Sequence, residues 1–337
     1  MKDILVWHQG ALGDLLLSLP AVHSIKKHFA PCRLHLISRT DLAAVIVASG
    51  IADEVSSNEK AMYADFFREG SLPATASEFL REMHAAFVFM KRRDETLIKN
   101  LREHVAFCRS VSTVPQQGER VHVAAFQLGE LQHAGISSSG TPRLCVALPA
   151  GGGGDRPLVT IHPGSGGKWK RWDLRGFFDV MDALAEVGPY RFLVLLGPAE
   201  REMREECGRL ISARNIPADI VSDRPVPYIA SLLAISSLFV GSDSGITHLA
   251  SMIGTPSIAV FGPTDPALWG PLGPSVRIVK SVCTCRPCSE AASISCPEEL
   301  RCLKDVNPQD VLKAAHELLS EDCRKSGLIG LRGTDHF

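Results

Sequence analysis

The chain has 337 residues, 45% of them hydrophobic and 22% charged, a balance typical of a soluble globular enzyme and unlike that of a disordered or fibrous chain. This length is sufficient for two domains, each with its own core. The 36 basic and 37 acidic residues leave a net charge of −1, which provides no global basic field for nucleic acid, so local patches must bind any anion.

The sequence carries neither of the usual hydrophobic targeting signals. The start, residues 1–8, has too short an apolar run for a signal peptide. No segment has the roughly 18 uncharged apolar residues of a membrane-spanning helix. We therefore expect a cytoplasmic protein, with peripheral contact at a membrane left open.

The first half alternates between strand and helix patterns, which is typical of a parallel sheet covered by helices on both faces. The predicted strands are residues 4–8, 33–37 and 85–90, and the predicted helices are residues 14–29 and 41–48. A weaker helical pattern runs through residues 56–82, and a polar loop is predicted for residues 110–120.

Four consecutive glycines, residues 151–154, interrupt this pattern because such a run cannot hold a regular element. A linker or connecting loop is therefore predicted for residues 149–157, followed by a second α/β pattern. Its predicted strands are residues 158–162, 191–196, 238–241 and 257–261, and its predicted helices are residues 173–187, 199–214, 227–235, 245–253 and 307 to about 320. We predict domains at 1–150 and 151–323 and a mobile tail at 324–337.

The first chemistry-bearing segment follows the first predicted strand. Gly10 and Gly13 let the backbone turn tightly there, and Asp14 stands at the start of the next helix. The carboxylate of Asp14 suits a general base, but it equally suits a helix cap. The glycine spacing lacks the third glycine and the lysine of the dinucleotide and P-loop fingerprints.

The second segment is the glycine-rich loop of residues 162–172, which contains Ser165, Lys168, Lys170 and Arg171. A hydroxyl, backbone amides and three cations in one loop favour a phosphate cradle. The alternative is a solvated basic turn whose tryptophans only pack.

The segment of residues 238–250 is an apolar strand, a Gly/Ser/Asp turn and a helix start. Such a turn places backbone N–H groups, hydroxyls and His248 at the positive end of a helix dipole, which suits a diphosphate. His248 could instead be a helix histidine whose hydrogen bonds are all made within the protein.

Two further loops follow predicted strands. Glu200, after the strand 191–196, could bind ribose or simply favour a first helical turn. The rigid loop of residues 261–266 could close around a base or sugar.

Half of the ten cysteines lie within twenty residues, at positions 283, 285, 288, 296 and 302. Cys285, Cys288, Cys296 and Cys302 could form a structural tetrahedral thiolate site, although the spacing of the last two is loose for zinc. A disulfide or redox pair and unligated thiols are the alternatives.

Taken together, these segments resemble the ADP-heptose:lipopolysaccharide heptosyltransferases of glycosyltransferase family 9. The resemblance rests on ordered motifs: G-x-L-G-D with Pro20 in residues 10–20, H-P-G-S and K-R-W in 162–172, L-G-x-x-E in 196–200, D-S-G-x-x-H-L-A in 243–250 and F-G-P-T-D-P in 261–266. It covers the chain to about residue 310.

The resemblance implies a GT-B fold, with two Rossmann-like domains whose parallel sheets face a central cleft. The first domain would bind the acceptor and the second the donor. It further implies that heptose is transferred with inversion from ADP-heptose to the inner core, Kdo or heptose, of lipopolysaccharide. Asp14 would be the general base, and neither a cofactor nor a catalytic metal is expected.

The resemblance also implies the residues that bind the nucleotide sugar: Ser165, Lys168, Lys170, Glu200, Asp243, Ser244, Gly245, Thr247, His248, Gly262, Pro263 and Thr264. A glycine-rich insert before Lys170 leaves open whether Lys168 or Lys170 meets the diphosphate. A lipid-anchored acceptor implies peripheral attachment to the inner face of the inner membrane, and no nucleic-acid partner is expected. The alternatives are a GT-B transferase or epimerase for another nucleotide sugar and a non-catalytic sugar-nucleotide-binding homologue.

Overall fold

The computed structural model describes residues 1–39, 41–116, 118–149, 155–283, 285, 288 and 295–325. They form two compact units: Met1–Val146 with Ala267–Trp269, and Ala147–Pro266 with the described residues from Gly270 onward. The glycine run 151–154 and residues 326–337 of the predicted tail lie outside the described residues.

The first unit contains a five-stranded parallel sheet with the spatial order β3-β2-β1-β4-β5. Its strands are β1 Lys2–His8, β2 Cys32–Ser38, β3 Glu54–Ser57, β4 Met83–Met90 and β5 Phe107–Ser112. The helices of this half are α1 Leu12–Phe29, α2 Ala43–Ala48, α3 Ala61–Ala64, α4 Ala74–Arg81, α5 Glu95–His104 and α6 Val123–Gln132, and a short 3-10 helix covers Asp65–Phe67.

The centre of this sheet is apolar because helices cover both of its faces. In β1 every residue from Ile4 to His8 is buried, and Trp7 packs against the rings of Tyr63, Phe66 and Phe67. Burial of each such large side chain contributes about 1.5–3 kcal/mol before the loss of conformational entropy is counted.

Two strands of the first unit differ from the sequence predictions. β3 occupies the start of the segment predicted to be helical, and β5 extends into the predicted polar loop as far as Ser112. Both are edge strands with mostly half-buried or exposed residues, so neither carries the continuous apolar run by which a central strand is recognised.

The second unit contains a six-stranded parallel sheet with the order β11-β10-β9-β6-β7-β8. Its strands are β6 Leu158–His162, β7 Arg191–Leu196, β8 Ala218–Ser222, β9 Leu238–Ser242, β10 Ser257–Phe261 and β11 Val276–Lys280. Its helices are α7 Leu174–Val187, α8 Arg204–Arg214, α9 Val226–Ala234, α10 Gly245–Ile253, α12 Arg301–Lys304 and α13 Pro308–Lys325, with 3-10 helices at Lys168–Lys170 and Pro198–Met203. The short helix α11, Pro266–Trp269, belongs to the first unit apart from Pro266.

One core of the second unit joins its first helix to its last. Phe177 and Phe178 of α7 are fully buried, and they belong to the same core as Val311, Ala315 and Leu318 of α13. The last helix is therefore part of the domain. It continues to Lys325, five residues past its predicted end and into the predicted tail.

The buried elements of this half were predicted closely. The bounds of β6, β7, β10 and α10 agree with the predictions, whereas the edge strands β8 and β11 were not predicted. The predicted helix 199–214 is divided into a 3-10 helix and α8. No helix among the described residues is long and apolar enough to cross a lipid bilayer.

Candidate functional site

The second unit has the strand order of dinucleotide-binding folds. Counted from β6, the spatial order is third, second, first, fourth, fifth, sixth, so the winding of the chain reverses between β6 and β9. Ligands of such sheets bind outside the carboxyl ends of the strands at this switch point. The loops that start at Pro163 and Asp243 follow these two strands, which places two of the sequence motifs there.

Asp243 is the centre of the contacts between these loops. Its buried carboxylate Oδ2 lies 3.0 Å from Nζ of Lys170 and accepts a 2.7 Å hydrogen bond from Oγ1 of Thr264. Its main-chain oxygen accepts a 2.7 Å bond from Oγ of Ser165, and Nε2 of His248 lies 3.9 Å from Oδ1. The structure therefore brings four predicted donor-site residues together around a fifth.

Helix α10 begins at the same turn. Ser244 is its N-cap: Oγ of Ser244 accepts a bond from the Thr247 N–H at 3.3 Å, and the Thr247 hydroxyl donates to the main-chain oxygen of Ser242. These two side chains stabilise the turn, and the positive end of the helix dipole favours an anion beside it. Pyrophosphate binding by Ser244, Gly245 and Thr247 stays a prediction.

The two lysines of the loop after β6 have different surroundings. The side chain of Lys168 is 72% exposed and its Nζ lies 2.8 Å from Glu202. The side chain of Lys170 is 26% exposed; it is paired with Asp243, and its Nζ lies 5.1 Å from the ring centroid of Trp169. Lys170 is therefore the lysine at the switch point, and Lys168 lies on the surface.

Glu200, which follows β7, is held in a buried ion pair. Its Oε2 accepts a 2.9 Å bond from the Gly197 N–H, and its Oε1 lies 3.3 Å from Nη2 of Arg171. A methyl group on Gly164 would overlap this carboxyl group, so the close packing requires glycine there. Glu200 thus has the first-turn capping contact that we considered as an alternative, and ribose binding stays a prediction.

His162 is a buried part of this site that the sequence did not single out, whereas half-buried Arg171 was identified only as one of the three cations of its loop, without its partners. Nδ1 of His162 donates a 3.0 Å bond to the main-chain oxygen of Leu195, and burial lowers the pKa of His162, so the ring is neutral at pH 7. The available signal for Arg171 was its position after Lys170 in a loop already identified as cationic.

The loop after β10 contributes Thr264 to the site, while Gly262 and Pro263 contact the C-terminal segment. Thr264 contacts Asp243, as described above. A methyl group on Gly262 would overlap Leu303, and the main-chain oxygen of Pro263 accepts a 2.8 Å bond from the Cys288 N–H. The structure thus places Gly262 and Pro263 against the C-terminal segment, and their contact with donor stays a prediction.

In the first unit, Asp14 lies on the first turn of α1, at the carboxyl end of β1. Its Oδ2 accepts a 3.1 Å bond from the Ala11 N–H, so the capping role considered from the sequence is present. The residue is half-buried. A cap contact at one oxygen does not prevent a carboxylate from accepting a proton, and the role of Asp14 as a base stays a prediction.

A buried histidine holds the turn that carries Asp14. Nδ1 of His8 accepts a 3.2 Å bond from the Gly10 N–H, and Nε2 lies 3.1 Å from Oγ of Ser18. The Ser18 hydroxyl donates a 2.8 Å bond to the main-chain oxygen of Asp14. Burial lowers the pKa of His8 to about 4, which keeps the ring neutral and lets Nδ1 accept.

The cysteine-rich segment is described in part. Sγ of Cys283 lies 3.0 Å from Sγ of Cys285, and Cys302 is buried in the core of the second unit. Within the described ranges, no group of three or more His, Cys, Asp or Glu residues could hold a metal ion. The site formed by Cys285, Cys288, Cys296 and Cys302 stays a prediction.

Comparison with curated proteins finds heptosyltransferases. The chain is 28% identical over 169 residues to lipooligosaccharide heptosyltransferase 2 of Campylobacter jejuni, an alignment of 49% of this chain and 51% of that protein. It is 24% identical to lipopolysaccharide heptosyltransferase 3 of Escherichia coli, over 77% of this chain and 83% of that protein. The chain thus spans about half the length of the Campylobacter relative.

Comparison with solved structures finds the same fold. The E. coli ADP-heptose LPS heptosyltransferase II matches with a TM-score of 0.73 and 16% identity, over 96% of this chain and 99% of that one. This similarity confirms the predicted GT-B fold of two parallel-sheet α/β domains. The family model described as glycosyltransferase family 9 (heptosyltransferase) matches residues 118–297, more than half of the chain. The chain therefore belongs to glycosyltransferase family 9.

Proposed function

We propose that this chain is an inverting transferase that moves heptose from ADP-heptose to a Kdo or heptose residue of the lipopolysaccharide inner core. The observation that carries the proposal is the set of groups at the carboxyl ends of β6, β9 and β7: Lys170, the N-terminus of α10 and the buried carboxylate of Glu200. A cation, a helix dipole and a carboxylate suit the phosphates and ribose of a nucleoside diphosphate. Family membership and the names of the relatives support heptose and lipopolysaccharide as the substrates.

Lys170 and α10 would bind the diphosphate of the donor. In the structure Lys170 is paired with Asp243, so an incoming phosphate would share or replace that contact. The positive charge and the helix dipole would then stabilise the negative charge that develops on ADP as it leaves. Asp243 would accept hydrogen bonds from sugar hydroxyls, since it is itself an anion.

Asp14 would act on the acceptor. As the acceptor oxygen attacks the anomeric carbon, its O–H proton passes to the carboxylate of Asp14. The bond from the anomeric carbon to the β-phosphate oxygen breaks, and its electron pair leaves with ADP. Attack from the face opposite ADP inverts the configuration. A positioned general base contributes about 10²–10⁴-fold to such a step.

A basic segment near Asp14 supports an anionic acceptor. Strand β4 lies beside β1, and Lys91, Arg92 and Arg93 follow its carboxyl end with exposed side chains. They are suited to the phosphate or carboxylate groups of a lipopolysaccharide core, or to anionic lipid if the enzyme works at the inner membrane face.

The test is release of ADP from ADP-heptose in the presence of heptose-deficient lipopolysaccharide, for the wild type and Asp14→Asn. The Asn oxygen can still accept from the Ala11 N–H, so the substitution removes the base and keeps the cap. We expect a loss of about 10²–10⁴-fold in turnover with unchanged ADP affinity. Asp173→Asn, at the exposed cap of α7, is the matched control and should retain wild-type turnover.

Three results would contradict this proposal. Turnover of Asp14→Asn near the wild-type rate would leave Asp14 with its capping role alone. ADP release that does not depend on the acceptor would point to an epimerase or hydrolase, and no release from any ADP-heptose and acceptor pair would direct the search to other nucleotide sugars.

A second experiment tests the donor site by calorimetry with ADP. Lys170→Met should weaken ADP binding roughly 10- to 100-fold, the range expected for loss of a charge-assisted hydrogen bond. Lys168→Met should leave the affinity within about twofold, because Lys168 is on the surface and its pair with Glu202 is solvent-screened. The reverse order of effects would assign the diphosphate to Lys168.

A further inference from the structure

Arg171 connects the loops that follow two neighbouring strands. Its side chain is 10% exposed. Nε and Nη2 each donate to the main-chain oxygen of Ser165, at 3.2 Å, in the loop after β6. Nη2 also donates to the main-chain oxygen of Ala199 at 2.8 Å and lies 3.3 Å from Glu200 Oε1, both in the loop after β7, while Nη1 reaches Glu202 at 3.2 Å.

Among the described residues, two hydrogen-bond donors hold the carboxylate of Glu200. Oε2 is held by the Gly197 N–H and Oε1 by Arg171, and the side chain is 4% exposed. A carboxylate has about four acceptor positions, so capacity remains for the hydroxyls of a ligand. A carboxylate buried to this degree also requires a compensating charge, which Arg171 supplies.

Lysine could not provide the same arrangement. A guanidinium donates in several fixed directions at once, as it does here to two loops, whereas an ammonium group is a single point of charge on a flexible stem. Without that fork, the carboxylate of Glu200 would keep its cap contact and lose its fixed direction.

We propose that Arg171 is a positioning residue that directs Glu200 toward the ribose hydroxyls of the donor and so determines the preference for a ribonucleotide. This inference rests on the proposed function, because it requires Glu200 to face the ribose of ADP. Arg171 acts through Glu200 and touches neither ribose nor phosphate.

The experiment compares the affinities for ADP and for 2′,3′-dideoxy-ADP, which lacks both ribose hydroxyls, by calorimetry. The wild type should prefer ADP by roughly 10- to 100-fold, since hydrogen bonds to a charged group are lost with the analogue. Glu200→Gln and Arg171→Lys should each bring this ratio close to one. In the double variant the ratio should fall no further than in Glu200→Gln, because both residues act on the same contact.

Arg201→Lys is the matched control, because the pair of Arg201 with Asp223 is exposed and lies next to Glu200 in the chain. It should keep the wild-type ratio. Arg171→Gln, checked with Arg171→Lys by thermal unfolding, provides a second variant if the first does not fold. The ratio of the two affinities is the readout because a general disturbance of the fold would weaken the binding of ADP and of the dideoxy analogue equally.

The experiment distinguishes failure of this inference from failure of the proposed function. If Arg171→Lys and Arg171→Gln bind ADP more weakly but keep the full preference for it, Arg171 does not act through Glu200 and the inference is overturned. If the wild type binds both ligands equally, the inference is overturned while the diphosphate site remains. If the wild type binds no ADP, both the proposed function and this inference are wrong.

Discussion

Acidification should destabilise the first unit through His8. Burial lowers the pKa of this histidine, the last residue of β1, from 6.5 to about 4. The neutral ring accepts a hydrogen bond from the Gly10 N–H. Below pH 6.5 the unfolded chain binds a proton at His8, whereas the folded chain does not until about pH 4. The stabilisation is therefore complete above pH 6.5 and is lost as the pH falls toward 4.

The magnitude follows from the size of the shift. The lowering from 6.5 to about 4 corresponds to about 3 kcal/mol at a pH well below 4, where both the folded and the unfolded states are protonated. At pH 5 about 2 kcal/mol of that is lost, relative to pH 7.5. His162 also has a lowered pKa, so the wild type has other acid-sensitive contributions, and the effect of His8 must be isolated by difference.

The assay is urea unfolding at pH 7.5 and pH 5, followed through tryptophan fluorescence, for the wild type and His8→Asn. The Asn oxygen can replace Nδ1 as the acceptor for Gly10, and the variant cannot titrate there. The wild type should lose about 2 kcal/mol more than the variant between the two pH values. Equal losses, or an NMR titration of His8 with a midpoint near 6.5, would refute the reasoning.

Two further predictions concern glycines that face site residues. Gly164→Ala should weaken ADP binding roughly tenfold or more, because the added Cβ would lie 2.5 Å from Oε1 of Glu200, whereas Gly166→Ala, which meets nothing within 4 Å, should bind normally in the same calorimetric assay. Gly10→Ala should lower turnover at least tenfold with little change in ADP affinity, because its Cβ would lie 2.5 Å from Cβ of Asp14; wild-type kinetics would show that the turn can adjust.

The buried parts of the fold were predictable and the edges were not. Strands β6, β7 and β10 are covered on both faces, so their residues form apolar runs whose ends are clear in the sequence. β3 and β8 lie at sheet edges, where the residues are mostly half-exposed and do not form an apolar run that the sequence would show. Pairing to a neighbouring strand, which no local pattern encodes, creates these elements.

The site was predictable as a set of loops, while its contacts were not. The sequence placed Lys170 and Asp243 in separate anion-binding motifs, and the parallel sheet brings them within 3.0 Å. The ion pair of Arg171 with Glu200 likewise joins loops from two strands. Such pairs depend on strand order, and alternating strands and helices predict a parallel sheet without fixing which strands are neighbours.

The position of α13 has a consequence for how the protein is made. Val311, Ala315 and Leu318 complete a core that also contains Phe177 and Phe178 of α7, more than 130 residues earlier in the chain. During synthesis the first unit's sheet can assemble early, since β5 ends at Ser112. Proteolysis of ribosome-stalled chains should therefore find the second unit cleavable until α13 has left the exit tunnel. A nascent chain that still lacks this helix exposes apolar surface, so chaperone protection matters most until residues 308–325 have emerged and packed.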